Sequence, residues 1–202
     1  MSLSLKLLIL SLAAAALPAA DKDNTRFAPG AASSYPTRLT VDKVTIAAVP
    51  YHTPERLREA FGKLKLSDYG VLPVLVVIQN DSNQALRFDR MQVDYISSGG
   101  VKIEATPAPE VRYLGGGQQR RLDTGRSPIP GLGGKRKNPL DAFEIEGRAF
   151  APKMLPAGES ANGFFYFRAA HREGARLYLS GILQAGSGKE LFYFEIPLDP
   201  AP

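Results

Sequence analysis

Three features of the sequence predict an all-β fold, an immunoglobulin-like antiparallel β-sandwich of about seven strands. The first is an apolar run, Val71–Ile78, followed by a polar turn and two apolar/polar alternations. The second is frequent turn punctuation, with 19 Gly and 16 Pro, which favours short strands over long helices. The third is the number of short strand-like segments, which two packed sheets accommodate. The Cys…Trp…Cys hallmark of true immunoglobulin domains is absent, because the chain has neither residue type.

Residues 1–20 have the pattern of a secretory signal peptide. Lys6 precedes an apolar core, Leu7–Ala16, and the small residues Ala19 and Ala20 precede a charged stretch. The alternative is an uncleaved membrane anchor, but this core is shorter than the roughly 20 residues that a bilayer requires. No Cys follows the core, which excludes a lipid anchor on an N-terminal Cys. We therefore expect an exported protein, periplasmic or secreted, with no transmembrane segment after cleavage.

The sequence contains no cysteine, which restricts how the domain can be stabilised and which reactions it can catalyse. An exported domain without disulfides must be held together by its apolar core, and a domain over residues 38–199 is large enough for one. Thiol catalysis, thiolate metal sites and thiol redox chemistry are all excluded.

The N-terminal part of the mature chain is expected to contain a lead-in, a strand and a helix. Residues 21–37 are polar and rich in Ala, Gly, Ser and Pro, which predicts a flexible segment. The alternation over Leu39–Ala48 slips at Asp42-Lys43, which predicts a strand carrying a bulge. A Thr-Pro-Glu start and apolar residues at helical spacing predict a short amphipathic helix over Pro54–Leu66.

Three strands are expected next. The run Val71–Ile78 has no polar face, so we expect a central strand covered on both sides. A third strand follows over Leu86–Tyr95, with a slip at Asp89-Arg90. A fourth, over Val101–Ala105, pairs with the third through the Ser98-Gly99-Gly100 turn.

Residues 139–150 fit two patterns. Leu140, Phe143, Gly147 and Phe150 have helical spacing, whereas the alternation of Phe143 and Ile145 with acidic residues fits a strand. A short helix is favoured and the strand stays open.

The C-terminal part predicts three more strands. Gly163–Phe167 is aromatic on both faces, and Leu177–Leu183 pairs with Leu191–Ile196 as a hairpin across Gly186-Ser187-Gly188. The expected core residues of this part are Phe165, Phe167, Leu177, Leu179, Phe192, Phe194 and Ile196.

Two segments carry a family resemblance. The Leu-Pro-x-Gly-Glu turn that leads into Gly-Phe-Phe-Tyr-Phe, at Leu155–Phe167, and the strand Leu72–Ser82 resemble uncharacterised secreted bacterial β-sandwich families, some of them called telokin-like. The resemblance covers about the strand-forming two thirds of the chain. It implies export and an immunoglobulin-like fold, and it carries over no catalytic residue.

Motifs for catalysis and cofactor binding fail on spacing. Gly158–Gly163 has the wrong spacing for a hydrolase nucleophile elbow, and a strand follows where a helix is required. Gly131–Arg136 lacks the third glycine of a dinucleotide loop, and Gly188–Glu190 lacks most of a phosphate loop. Asp81-x-Asn83 lacks the later glycine and acid of a calcium loop. We therefore predict no cofactor and no enzymatic activity.

Two groups of titratable residues leave alternatives open. His52 and His171 are the only histidines, and we expect two separate, solvent-facing turn residues rather than a metal site shared with a carboxylate. Glu144 and Glu146 are the candidate acid pair of a hydrolase, although acids two apart usually face water.

The basic excess of the chain lies in one loop. Residues 107–138 lose strand and helix periodicity, and a loop of this length is generally functional or disordered. Residues 114–137 contain six basic residues and one acidic residue, which gives this loop a net charge of +5. The net charge of the whole chain is also +5, and without the signal peptide and the loop it is about −1. An apolar tip separates two basic clusters. The candidate binding residues are Arg120, Arg121, Arg126, Ile129, Leu132, Lys135, Arg136 and Lys137.

These observations predict a non-catalytic binding or scaffold module. Loop 115–137 is the expected contact surface for an anionic envelope polymer, a membrane surface or a protein partner. The alternative for the loop is a solvated insertion whose charges only aid solubility. Nucleic acid is excluded as a partner because the loop lacks stacking aromatic residues and the compartment is wrong. The other functional alternatives are assembly through exposed sheet edges and, more remotely, hydrolysis.

Overall fold

The computed structural model describes residues 27–114 and 138–200, which form an all-β sandwich of eleven strands with two short α-helices. The prediction of an all-β sandwich is confirmed, and the immunoglobulin-like topology stays a prediction. The helices are α1 (Pro54–Phe61) and α2 (Phe143–Gly147). The strands are β1 (Arg38–Val41), β2 (Val44–Pro50), β3 (Leu72–Asn80), β4 (Leu86–Arg87), β5 (Gln92–Ile96), β6 (Lys102–Glu104), β7 (Met154–Leu155), β8 (Ser160–Phe167), β9 (Arg176–Ser180), β10 (Leu183–Gln184) and β11 (Phe194–Pro197).

Two four-stranded sheets form the layers. One has the order β1-β2-β3-β8 and the other β11-β9-β5-β6, while β10-β4-β7 forms a small third sheet. All pairs of neighbouring strands are antiparallel. Within the described ranges, no helix is long and apolar enough to cross a membrane.

The position of the central strand β3 explains why its sequence is apolar throughout. Val74 and Val76 pack into the core between the two large sheets, whereas Leu75 and Val77 pack into a second core that includes Leu57 of α1. Because successive side chains point to opposite faces, a strand covered on both faces must be apolar throughout. The predicted central position is confirmed, with β2 on one side and β8 on the other.

The expected bulge at Asp42-Lys43 is wrong, since these two residues are the turn of a hairpin between β1 and β2. Both have positive φ, 50° and 62°, as the central residues of a type I′ turn do. A two-residue turn interrupts the apolar/polar alternation in the same way as a bulge, but it also reverses the direction of the chain.

The slip at Asp89-Arg90 marks a change of sheet rather than an irregularity in one strand. β4 belongs to the small sheet and β5 to a large one, and the chain crosses between them over residues 88–91. The two-residue strands β4, β7 and β10 account for most of the excess over the seven strands expected. Gly181 permits the crossing, because a Cβ there would lie 2.0 Å from the Arg90 carbonyl oxygen.

Both predicted helices are present, with differences at their ends. Thr53 caps α1 as expected, and the helix ends at Phe61, followed by Gly62 as its C-cap, rather than at Leu66. The favoured helix in residues 139–150 is α2, but Phe143 is exposed and Ile145 is the buried residue of its face. A helix of only five residues buries a narrow face, so the helical spacing from Leu140 to Phe150 does not identify its buried residue.

The predicted C-terminal pairing is confirmed for β9 with β11. The expectation that Phe192 belongs to the core is wrong, because its side chain is 73% exposed. The Leu191 N–H binds the Ile182 carbonyl, and residues 191–193 precede β11. Their alternation is therefore not that of the strand.

The lead-in expected to be flexible is packed on the sandwich where the structure describes it. The Phe27 ring lies 5.9 Å from the Tyr51 ring and 5.4 Å from the Phe164 ring. Ala32 is fully buried, and the Thr37 hydroxyl donates to the Ala48 carbonyl at 2.6 Å. An aromatic anchor is enough to fix a segment that lacks periodicity.

Candidate functional site

A cleft of about 380 Å³ lies between the edge strands β6 and β8. Its lining comes from four segments: residues 91–94 of the β5 region, residues 102 and 104–108 of β6 and its continuation, residues 149–150, and residues 164–166 of β8. Its volume is in the range of small-ligand sites. We call it the β6–β8 cleft.

The two edge strands meet at one end of the cleft and diverge from there. The Thr106 N–H donates to the Tyr166 carbonyl at 2.7 Å, which joins the continuation of β6 to β8. Farther along β8, residues 148–150 occupy the strand's outer edge: the Phe164 N–H donates to the Arg148 carbonyl at 2.8 Å, and the Phe150 N–H donates to the Phe164 carbonyl at 3.1 Å. This segment, residues 148–150, is the strap. The cleft is the space between the strap and β6.

One side of the cleft is aromatic. The rings of Phe150 and Phe165 stack with centroids 5.4 Å apart and an interplanar angle of 23°. Phe88 packs edge-on against Phe150 at 5.5 Å, which fixes that ring from behind. Gly163 makes this arrangement possible, because a Cβ there would lie 2.4 Å from the Phe150 Cα.

The other side of the cleft carries charge. Asp94 is buried in β5, and the Lys102 Nζ lies 3.0 Å from its Oδ2. The hydrogen bond from this ammonium and the negative charge of Asp94 raise the pKa of Lys102. Glu104 stands directly opposite Asp94 in the β5–β6 register. Two carboxylates and one ammonium leave this wall with a net charge of about −1.

The sequence-predicted binding residues lie outside the described residues. These are Arg120, Arg121, Arg126, Ile129, Leu132, Lys135, Arg136 and Lys137, all within 115–137.

The residues that flank this segment are held together. The Asn138 side-chain amide donates to the Arg112 carbonyl at 2.7 Å, and the Arg112 guanidinium pairs with Asp141 at 3.0 Å and with Glu146. The 3₁₀ turn before the segment, Ala108–Tyr113, and helix α2 after it both lead into residues that line the β6–β8 cleft.

The two acids of the hydrolase alternative both lie on α2. Glu146 is paired with Arg112, and Glu144 is exposed. Neither lines the β6–β8 cleft.

The two histidines lie together, although they were expected to be separate. The rings of His52 and His171 are 4.5 Å apart, and the His171 Nε2 lies 2.9 Å from the Asp199 Oδ1. His52 faces solvent as expected, but the His171 side chain is only 6% exposed, so that part of the expectation is wrong. No group of three or more potential ligands in the described ranges is arranged to hold a metal ion.

The histidine cluster is electrostatically coupled. Burial, followed by the neighbouring His171, lowers the pKa of His52. Burial alone would raise the pKa of Asp199, but hydrogen bonds from His171 and from the Gly174 N–H outweigh it and lower that pKa. The cluster ties the β8–β9 connection to the segment that follows β11.

Comparisons with known proteins give little beyond this. No protein-family model matches the chain, and no curated protein matches it. Among solved structures, one similar chain is a "putative lipoprotein (ycdA)" from Bacillus subtilis, with 15% sequence identity and a TM-score of 0.38. The alignment covers 80% of this chain and 38% of that one, so this chain spans less than half of its length.

Sequence reasoning missed the β6–β8 cleft. Asp94 occupies a position that alternation assigns to solvent, and Phe150 and Phe165 come 56 and 71 residues later in the sequence. The one available signal was an isolated acid between the apolar residues Val93 and Tyr95, and such acids are common on exposed strand faces.

Proposed function

We propose that this chain is an exported, non-catalytic binding module whose ligand site is the β6–β8 cleft. The observation that carries the proposal is the combination, in one cleft of about 380 Å³, of a stacked aromatic wall and a buried carboxylate paired with Lys102. Binding sites typically combine an apolar lining with a few converging polar groups. Export rests on the signal-peptide pattern of residues 1–20.

The sandwich suits the role of a rigid scaffold. β8 pairs with β3 over eight residues, and the strap is hydrogen-bonded to β8 from the other side. The aromatic wall therefore stands on the most extensively paired part of the fold. A site on paired strands keeps its geometry better than a site on loops.

An NMR-detected screen of small aromatic and amine compounds against the isotope-labelled mature protein tests the proposal. Ala108 lines the cleft and is partly buried, so Ala108→Leu fills part of the space. Ala151 is exposed and lies outside the lining, and Ala151→Leu is the matched control. We expect compounds that shift the resonances of Phe150 and Phe165, with binding lost in Ala108→Leu and kept in Ala151→Leu. Hits that bind both variants equally would refute the assignment of the site.

A second candidate is contact with an anionic envelope surface through residues 115–137. Its support is the charge of +5 in this segment and the Arg112 and Asn138 contacts that hold its flanking residues together. Each basic side chain near an anionic lipid surface contributes on the order of 1 kcal/mol. This candidate and the cleft site involve different residues and are compatible.

Sedimentation with phosphatidylglycerol-rich vesicles, over a salt series, tests the second candidate. One variant neutralises Arg120, Arg121, Lys135, Arg136 and Lys137. The control replaces an equal number of exposed lysines in the described residues by Gln, so that the net charge is the same; these are Lys43, Lys63, Lys65, Lys153 and Lys189. We expect only the first variant to lose binding, and wild-type binding to weaken with salt. Equal loss in both variants would mean that net charge alone matters.

Assembly through sheet edges is less well supported. The outer edge of β8 is covered by the strap and by Thr106, and β6 is only three residues long. Short or covered edges are devices that discourage pairing between copies of a protein. Hydrolysis has the least support, because Glu146 is paired with Arg112 and Glu144 faces solvent. Substituting both acids by Gln tests it directly.

A further inference from the structure

In the part of the chain that the structure describes, no strand pairs with the outer edge of β6, and this edge faces the β6–β8 cleft. Glu104 is opposite Asp94, and the Ala105 N–H donates to the Val93 carbonyl at 3.1 Å. This pattern makes Asp94 and Glu104 a non-hydrogen-bonded pair, so the N–H and C=O of Lys102 and Glu104 point away from β5. The Thr106 N–H, two residues farther along, points the same way and reaches β8. Among the described residues, none forms a backbone hydrogen bond with these groups of Lys102 and Glu104, and Glu104 lines the widening part of the cleft.

We propose that the β6–β8 cleft binds an extended peptide segment of a partner protein, which adds as a strand to β6. This inference rests on the proposed function, because it names the ligand class of the same site. Addition of a strand to an open sheet edge is an established mode of peptide recognition, in which backbone hydrogen bonds supply affinity and alternate side-chain sites supply specificity.

The surroundings of β6 define which peptide fits. Ile103 packs on the core side together with Phe150 and Phe165, whereas Glu104 and the buried Asp94 share the other face of the sheet. A strand beside β6 would place alternate side chains against the aromatic wall and against the carboxylates. The peptide should therefore alternate apolar and basic residues.

The length of the site is also defined. The Thr106 to Tyr166 hydrogen bond closes one end, and β6 offers the three residues Lys102–Glu104 before it. Val101, which precedes β6, is 61% exposed and extends the apolar surface at the open end. About three to four peptide residues, at roughly 3.3 Å each, fit along this edge.

Glu104→Pro separates strand addition from other ways of binding. Proline removes the Glu104 N–H, which points away from β5, and so leaves the β5–β6 hydrogen bonds intact; proline is tolerated on an edge strand for this reason. Glu104→Ala removes the carboxylate but keeps the N–H. Thermal unfolding of both variants checks that the sandwich is retained.

A phage-displayed library of random octapeptides, selected on the wild-type mature protein, supplies the probe. We expect selected peptides to alternate apolar and basic residues and to shift the amide resonances of Lys102 and Glu104. Their affinity should fall at least tenfold on Glu104→Pro and only a few-fold on Glu104→Ala. Synthetic peptides N-methylated at alternate amides give a test that leaves the protein unchanged: one of the two methylation patterns should lose binding at least tenfold, and the other should keep it.

Three results would overturn strand addition. The first is selected peptides that bind Glu104→Pro as tightly as wild type, or that are equally insensitive to both methylation patterns. The second is the absence of any peptide that shifts the two amides. The third is pairing of β6 between two copies of the protein in the absence of peptide. If small compounds still bind at Phe150 and Phe165 in these cases, strand addition fails while the proposed cleft site stands.

Discussion

Gly163→Ala should destabilise the protein through the contact that forms the aromatic wall. An added Cβ would lie 2.4 Å from the Phe150 Cα and 2.5 Å from its nitrogen, both of them backbone atoms that cannot rotate away. Optimal contact between carbon atoms is about 3.5 Å or more, so the strap must move by roughly 1 Å. That displacement strains both hydrogen bonds that join the strap to Phe164.

The expected cost follows from these two effects. Overpacking typically costs about 1–3 kcal/mol, and each net hydrogen bond contributes about 0.5–1.5 kcal/mol. Because the strap can yield partly, we expect a loss of about 2–4 kcal/mol in the free energy of unfolding. With a urea m-value of about 2 kcal/mol/M, the midpoint of urea unfolding should fall by about 1–2 M.

Urea unfolding followed by circular dichroism measures this change, and Gly186→Ala is the matched control. A Cβ at Gly186 would lie 3.5 Å from the Gln84 Oε1, an ordinary contact with a side chain, so the control should stay within about 0.5 kcal/mol of wild type. The reasoning would be refuted by a Gly163→Ala midpoint indistinguishable from that of Gly186→Ala. If Gly163→Ala folds but no longer binds ligands in the β6–β8 cleft, the strap also shapes the binding site.

Three further predictions concern separate parts of the sandwich. Because the pKa of His52 is lowered from its ordinary value of 6.5, the folded state binds fewer protons than the unfolded state. The contribution of His52 to stability is therefore present above about pH 6.5 and is lost as the pH falls through the folded-state pKa. The midpoint of urea unfolding should fall less between pH 7 and pH 5 in His52→Gln than in wild type, and equal pH dependence in the two proteins would contradict this. Thr53→Ala removes the side chain that accepts from the Arg56 N–H at the start of α1, and chemical denaturation should show a loss of about 1 kcal/mol, with no change at all counting against a capping role. The side-chain amide of the fully buried Asn80 donates to the Gln84, Leu155 and Pro156 carbonyls, each within 3.2 Å. Asn80→Ala should therefore lower the free energy of unfolding, measured by heat or urea, by about 2–4 kcal/mol. A loss below about 1 kcal/mol would mean that water replaces the amide.

Local features were predictable because they depend on neighbouring residues alone. The unbroken run Val71–Ile78 required a strand covered on both faces, and β3 is that strand. The Thr53 cap and the Ser98-Gly99-Gly100 turn were readable for the same reason, since each involves hydrogen bonds or dihedral angles within a few residues. The failures also have local causes. At Asp42-Lys43 the same slip in alternation fits a bulge and a hairpin turn, and the sequence favours neither.

The candidate site depended on tertiary structure throughout. Alternation tells which face of its own strand a side chain occupies, because the period is two residues, but it does not tell which sheet edges lie side by side. The β6–β8 cleft exists because Thr106 joins two sheets and because Gly163 lets the strap approach β8, contacts between segments about 60 and 13 residues apart. The pairing of His52 with His171 has the same origin. The chain's sequence therefore determined most of the strands and turns, and export stays a prediction from residues 1–20. Only the packing of the two sheets decided where charged and aromatic side chains converge.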